Sequence, residues 1–380
     1  SRVGTGNIAG IAIAIIGGGP GAIFWMWIIA LIGSASSFVE STLAQIYKVK
    51  DGDSFRGGPA YYIEQGLNKK WLGATFAVLI TISFGFVFNA VQANTVATAF
   101  NNAFGLDKMV IGIVLAALTA AVIFGGVHRV AKVSEIIVPI FAGLYILVSL
   151  FIVVTNLNYI PGVFKLIFES AFGMREIAMG TMGGMMLTGI KRGLFSNEAG
   201  MGSTPHAHAV AKVDHPVEQG FVAMMGVFID TFVVLTLTAL VILTSGMVGE
   251  IDPLTKAAYT GTALTQVGFS SVFGKFGEVF IAICMFFFAF STIIGWYFFG
   301  EANIKYLFGS KAVKIYAVLV CVCIVVGSAQ RVDLVWNMAD CFNSAMVIPN
   351  VIGLWALSGM VKKVHKDYYQ NFRPNQMKKK

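Results

Sequence analysis

Apolar positions along this chain gather into blocks of about twenty residues, parted by short polar or glycine-rich stretches. Ten blocks are visible, at 4–17, 21–47, 71–104, 109–127, 133–154, 176–194, 217–245, 274–305, 312–328 and 333–358. About twenty apolar residues wound as a helix cross roughly 30 Å of hydrocarbon. In lipid a spanning segment must satisfy its own backbone hydrogen bonds, which a helix does. The pattern therefore predicts an all-α polytopic membrane protein, its first span short, with a transmembrane domain over 1–361 and a basic tail over 362–380. Three connections carry patterns of their own. Residues 49–70 hold Gly57-Gly58-Pro59 and Tyr61-Tyr62 and predict a packed amphipathic loop. In 157–175, Val163, Phe164, Ile167 and Phe168 are spaced for an interfacial helix. Residues 195–216 read as a long polar cytoplasmic loop.

Composition removes the soluble alternatives. The chain is 57% hydrophobic and 12% charged, against about a quarter charged in soluble domains. Its net charge of +8 does not point to nucleic acid, because seven of the 27 basic residues lie in the tail. Taking the connection after the second block as cytoplasmic and alternating from there puts twenty basic residues on that side and six on the other. This asymmetry orients the chain with a cytoplasmic C-terminus, as a multi-pass protein of the plasma (inner) membrane whose tail faces anionic lipid. Cys284, Cys321, Cys323 and Cys341 sit inside apolar runs, as packing residues do. No signal peptide is visible, and the start at Ser1 leads us to expect a fragment of a longer chain. Nothing in the sequence sets an oligomeric state.

The chemistry lies where the apolar pattern is broken, since irregular backbone at membrane depth survives only against a cavity or within protein. Gly4-Thr5-Gly6-Asn7 opens the run that starts at Ile8. Two glycines around a threonine can unwind a helix, and the positive end of the half-helix behind them favours a carboxylate. The Asn7 side-chain oxygen suits a hard cation such as sodium. The alternative is a glycine-rich loop before an ordinary helix. Gly180-Thr181-Met182-Gly183-Gly184 repeats this make-up five spans later, and paired interruptions in two halves mark the binding site of many transporters. Small-residue helix packing is its alternative. Ser291 and Thr292 stand mid-span in the eighth block, as sodium ligands or as hydroxyls bonded to their own helix. Asn89, Gln92 and Asn94 interrupt the third block and are expected to face the bundle; Gln92 is suited to a substrate amino or carboxylate group. Glu40, Asp230 and Asp340 are intramembrane charges, functional candidates by default. Asp340, with Asn337 and Asn343, also fits a structural polar network. Met182, Met185 and Met186 are candidates for limiting substrate size. His206 and His208 read as part of a polar loop, since nothing completes a metal site around them. No constellation of catalytic residues stands out.

With these motifs in view, the chain resembles the alanine or glycine:cation symporter family, the sodium:alanine symporters. The resemblance rests on GGPGAIFWMWIIALIG from Gly18 to Gly33, with GTGNIAG from Gly4, RGGPAYYIEQGL from Arg56 and KRGLFSNEAGMGSTPHAHA from Lys191. It implies a leucine-transporter-like fold of two inverted five-helix repeats with broken first and sixth helices. It also implies sodium-coupled uptake of a small neutral amino acid, alanine or glycine, with sodium as coupling ion and no further cofactor. By that likeness Gly4, Thr5, Gly6, Gln92, Thr181, Gly183 and Gly184 would bind substrate, and Gly4, Asn7, Ser291 and Thr292 would bind sodium. Only three residues precede Gly4 here, where the family has further sequence and a cytoplasmic half of the first helix. A proton-coupled or sodium-independent exchanger relying on Asp230, Asp340 or Glu40 is the competing reading. A channel would need a continuous polar stripe, and a scaffold would have no reason to open backbone at the midplane.

Overall fold

The computed structural model describes residues 3–173, 182–253 and 256–377. Helices dominate them: α1 (Ala9–Gly18), α2 (Ala22–Ile46), α3 (Pro59–Leu67), α4 (Lys70–Phe104), α5 (Lys108–Ile123), α6 (Val127–Thr155), α7 (Ile160–Ala171) and α8 (Met182–Asn197). Then come α9 (Pro205–Val210), α10 (Pro216–Thr244), α11 (Gly261–Phe273), α12 (Lys275–Phe308), α13 (Val313–Ser328) and α14 (Val332–Asp367), which continues through a π turn at Tyr368–Phe372. Seven helices among the described residues are long and apolar enough to cross a membrane. Local chemistry sets many of the boundaries. Pro59, Pro205 and Pro216 occupy first turns, where the missing N–H costs nothing. Asp107 caps α5 by accepting from the N–H groups of Met109 and Val110. Gly105 in the left-handed region ends α4.

Each of the ten apolar blocks contains a helix close to its expected bounds, and the differences are local. Connection 49–70 is a two-stranded hairpin, β1 (Val49–Asp51) with β2 (Ser54–Arg56), followed by α3. The interfacial pattern at 157–175 forms α7, which buries Val163 and Ile167. The connection before the eighth block contains α11, which its mixed composition hid. Residues 195–216 are not a solvated loop. Asn197, Glu198, Ser203, Thr204 and His206 are all buried, because the chain turns back into the bundle there instead of leaving it.

Two departures from regular helix position the site. α1 is short and buried along most of its length, and it begins after a 3-10 turn, Thr5–Asn7, inside the bundle. α8 stops at Asn197, and the chain resumes as α9 only at Pro205. Between them Glu198, Gly200 and Gly202 take φ of 54°, 78° and 81°, a left-handed sequence that ends a helix. α2 packs along α8 and α10, α4 along α12 and α13, and α1 lies against α8 and α11. Both α4 and α10 widen into π turns, at Thr81–Val87 and Ile229–Leu235, a distortion found often at functional positions.

Candidate functional site

The first turn of the described chain folds on itself through its own side chain. Asn7 Oδ1 accepts the Gly4 N–H at 2.9 Å, closing the 3-10 turn and leaving the Asn7 amide nitrogen to reach outward. That nitrogen donates to Asp230 Oδ1 at 2.7 Å and to the Asp230 carbonyl at 3.3 Å. Asp230 stands in the π turn of α10, buried. Its other oxygen, Oδ2, accepts from the hydroxyls of Ser196 and Thr231, each at 3.1 Å. Asn197 in turn donates to Thr231 Oγ1 at 3.2 Å. A buried carboxylate is tolerated only when donors or cations compensate it. Here one carboxylate ties the start of α1, the end of α8 and the middle of α10 together.

On the opposite flank, Thr5 N–H donates to Gln92 Oε1 of α4 at 3.4 Å. Thr292 of α12 donates to the Val3 carbonyl at 3.4 Å. A Cβ at Gly4 would lie 2.9 Å from Thr292 Oγ1 and 3.6 Å from Gln92 Nε2; one at Gly6 would lie 2.9 Å from the Ser196 Cα. Neither position has room for a larger residue, so the two glycines permit the close approach of α1, α8 and α12. The Thr5 hydroxyl is buried and has no hydrogen-bond partner among the described residues. The geometry therefore gathers Gly4, Thr5, Gly6, Asn7, Gln92 and Thr292 into one locus, lined by amide, hydroxyl, carbonyl and carboxylate groups. Oxygens of this kind suit a hard cation.

Other expected site residues are elsewhere. Ser291 donates its hydroxyl to the Phe288 carbonyl at 2.9 Å, whereas its neighbour Thr292 donates to the Val3 carbonyl at the locus. Gly183 and Gly184 stand exposed in α8, about 20 Å along the helix from Ser196 at 1.5 Å per residue. The end of α8, Phe195 and Ser196, meets the 3-10 turn instead. Gly180 and Thr181 lie outside the described residues; an interruption at 198–204, beyond the end of the block, lies within them. Met182 and Met186 are exposed, and Met185 packs beside Ser170 and Gly21; the three methionines do not line the locus. Asp340 pairs with Arg192 of α8 at 2.5 Å, and the Arg192 guanidinium lies 4.7 Å from the Trp336 ring centre. Among the described residues its ion-pair partners are Arg192 and, at 3.9 Å, Lys191, and not Asn337 or Asn343. Lys191 and Arg192 both lie within α8. Asp230 was legible as an intramembrane charge but not as a member of the site, and Ser196 carried no signal in the sequence.

A cavity of about 520 Å³ leads toward this locus, lined among others by Ala9, Ile13, Thr95, Thr98, Arg192 and Trp336. It is also lined by Lys108 and Asp333, from the first turns of α5 and α14, and by Asp252 and Tyr259 from the connection before α11. Between cavity and site lies an aromatic cluster. Phe195 packs 4.8 Å from Trp336 and 5.0 Å from Phe88, and Phe88 lies 5.4 Å from Trp296.

The model of the sodium:alanine symporter family matches residues 1–380. An amino-acid carrier protein of Bacillus subtilis, AlsT, is 51% identical over 369 residues, 97% of this chain and 78% of the carrier. A probable sodium/glutamine symporter of the same organism, GlnT, is 53% identical over 97% of this chain and 76% of its own length. The sodium/alanine symporter AgcS of Methanococcus maripaludis is 43% identical over 100% of this chain and 83% of its own.

Proposed function

The chain belongs to the sodium:alanine symporter family, and from that premise we propose that it couples sodium entry to uptake of a small neutral amino acid, alanine or glycine. It is a transporter and not an enzyme. The observation that carries the reading is the Asp230–Asn7 bond at the opened start of α1. It brings a buried negative charge, an amide and backbone amides to one point. In the proposed arrangement sodium is held by Asp230 and Asn7 oxygens, and Thr292 with the Gly4 backbone offers a second locus. The substrate carboxylate meets the amides of Gly4, Thr5 and Gly6, and Gln92 and the Thr5 hydroxyl orient the rest of the substrate. The interruptions before α1 and after α8 support a five-plus-five inverted repeat, with the cavity facing outside and the tail in the cytoplasm.

The energetics suffice. A zwitterion carries no net charge, so sodium supplies the electrical work. One charge across 100 mV is worth about 2.3 kcal/mol, and a tenfold gradient adds about 1.4 kcal/mol. Together about 3.7 kcal/mol supports accumulation of several hundred-fold at one-to-one coupling. The test is uptake of labelled alanine into proteoliposomes with an imposed sodium gradient, with glycine and glutamine as competitors. Sodium-stimulated uptake that collapses when sodium is equal on both sides is expected. Uptake that follows a proton gradient and ignores sodium would replace this reading with proton coupling through Asp230.

A further inference from the structure

Below the site, on the side of the β1–β2 hairpin, a second group of buried polar residues surrounds the interruption at 198–204. Glu40, from the last third of α2, accepts the Gly200 N–H on Oε1 and the Gly202 N–H on Oε2, both at 3.1 Å. Asn350 of α14 donates to Glu40 Oε2 at 3.1 Å and to the Gly200 carbonyl at 2.9 Å, and its oxygen takes the Tyr62 hydroxyl of α3. Glu198 accepts the Trp296 indole N–H at 2.7 Å and the Ser203 hydroxyl at 2.6 Å. His206 closes the far end. Its Nδ1 donates to the Ser203 carbonyl at 2.8 Å and its Nε2 accepts from Asn303 at 2.7 Å, an assignment the partners impose. Four elements, α2, α3, α12 and α14, thus converge on one irregular stretch of backbone.

We propose that Glu40 is a latch that holds segment 198–206 across the inner exit of the transport path, and that its release opens the site toward the hairpin side. This deepens the symport reading and rests on it. The segment continues directly from Ser196 and Asn197, which touch Asp230 and Thr231, so material leaving the site toward the hairpin must pass it. On the other side of the site a cavity approaches it, with the Phe88, Phe195 and Trp336 rings packed between. The residue type fits the task. Irregular backbone in a bundle needs partners for its N–H groups, and a carboxylate offers acceptors on both oxygens, with charge-assisted bonds. A glutamine would keep one acceptor and turn an amide nitrogen against the N–H of Gly200 or Gly202. Gly202 cannot carry a side chain: its φ is 81°, and a Cβ there would meet Phe76 and Pro59 at 2.8 Å. Thr292 and Trp296 lie one turn apart on α12, so one helix face touches both the site and the latch.

The test compares accessibility from the two sides in the full chain, with Cys284, Cys321, Cys323 and Cys341 replaced by alanine. Met201→Cys, buried in the segment, reports the hairpin side, and Thr98→Cys, on the cavity, reports the other. A charged methanethiosulfonate is applied to sealed vesicles of each orientation. Glu40→Gln is expected to speed labelling of Met201→Cys by about fivefold or more and to slow labelling of Thr98→Cys, the signature of a shifted two-state equilibrium. Unchanged rates, or rates that rise on both sides as in a loosened fold, overturn the latch. Should Glu40→Gln not reach the membrane, Asn350→Ala, which removes the partner of the same carboxylate, must give the same opposed changes, and anything else counts against it. Sodium-driven uptake by the parent protein is scored separately: its absence defeats the symport reading, whereas normal uptake with unmoved labelling defeats the latch alone.

Discussion

Asp230 illustrates how much one side chain can decide. Its carboxylate is buried and receives an amide and two hydroxyls, so its charge is held by neutral donors on three helices, and a sodium ion would neutralise it. Asp230→Asn removes that charge while keeping the volume. We expect it to abolish sodium stimulation of alanine uptake while the protein still reaches the membrane, measured as initial rates against sodium concentration; an unaltered sodium response would exclude Asp230 from the cation site. Asn7→Ala removes the link between Gly4 and Asp230. Loss of a buried hydrogen bond to a charged group costs about 1.5–3 kcal/mol, so the apparent sodium affinity should fall by roughly tenfold to a hundredfold. Gly6→Ala is a steric test: the added Cβ would stand 2.9 Å from the Ser196 Cα, and binding of both sodium and alanine, followed by their effect on thermal unfolding, should be lost. The sequence marked Gly4, Asn7 and Gln92 because a polar or glycine residue interrupting an apolar block must have a local reason. It could not mark Ser196, a single hydroxyl near a helix end, whose role comes only from the neighbour that folding places beside it.

At the scale of elements, hydrophobic blocks were legible because lipid demands complete helices, whereas breaks were legible only where glycine density is high. Gly180 to Gly184 drew attention for that reason; of these, Gly183 and Gly184 are helical and exposed, and Gly180 and Thr181 lie outside the described residues. The break that meets the bundle interior, 198–204, is written more sparsely, as Gly200 and Gly202 before Pro205. It read as a solvated loop because its polar residues have their partners on α2, α12 and α14, far away in sequence. The conformation itself is testable. Gly202 sits at φ 81°, where an alanine is strained by roughly 1–3 kcal/mol even before its contacts with Phe76 and Pro59 are counted. Gly202→Ala should lower the unfolding temperature and abolish uptake, whereas Gly246→Ala, also at positive φ but with nothing within 4 Å, should lower stability without removing sodium-dependent transport. Equal loss of transport in both variants would mean that the left-handed backbone, and not the packed site of the break, is what matters.

For the whole molecule, the cavity and the buried segment 198–206 flank the proposed site from opposite sides, the asymmetry that alternating access would require of it. Arg192 and Asp340 stand on the cavity side of that site and join α8 to α14 at 2.5 Å, beneath which Trp336 and Phe195 pack. If the bundle rocks around the site, closing the cavity brings the walls bearing Ile13, Thr98 and Trp336 together while the pair persists, and the order of events can be read from labelling. Thr98→Cys should react readily in sodium-free medium and become protected when sodium and alanine are added together, with sodium alone giving little protection. The physical reason is that a symporter must not cross empty-handed with its ion: closure is driven by differential binding, and only the ternary complex supplies enough of it to move a two-state equilibrium. Arg192→Ala leaves the Asp340 carboxylate without its nearest cation beside a low-dielectric wall. Its expected consequence is loss of the substrate-induced protection at Thr98→Cys, with sodium binding retained because Asp230 and Asn7 are untouched. Protection that survives in Arg192→Ala would show that the pair only fastens α8 to α14 and takes no part in closing the outer side.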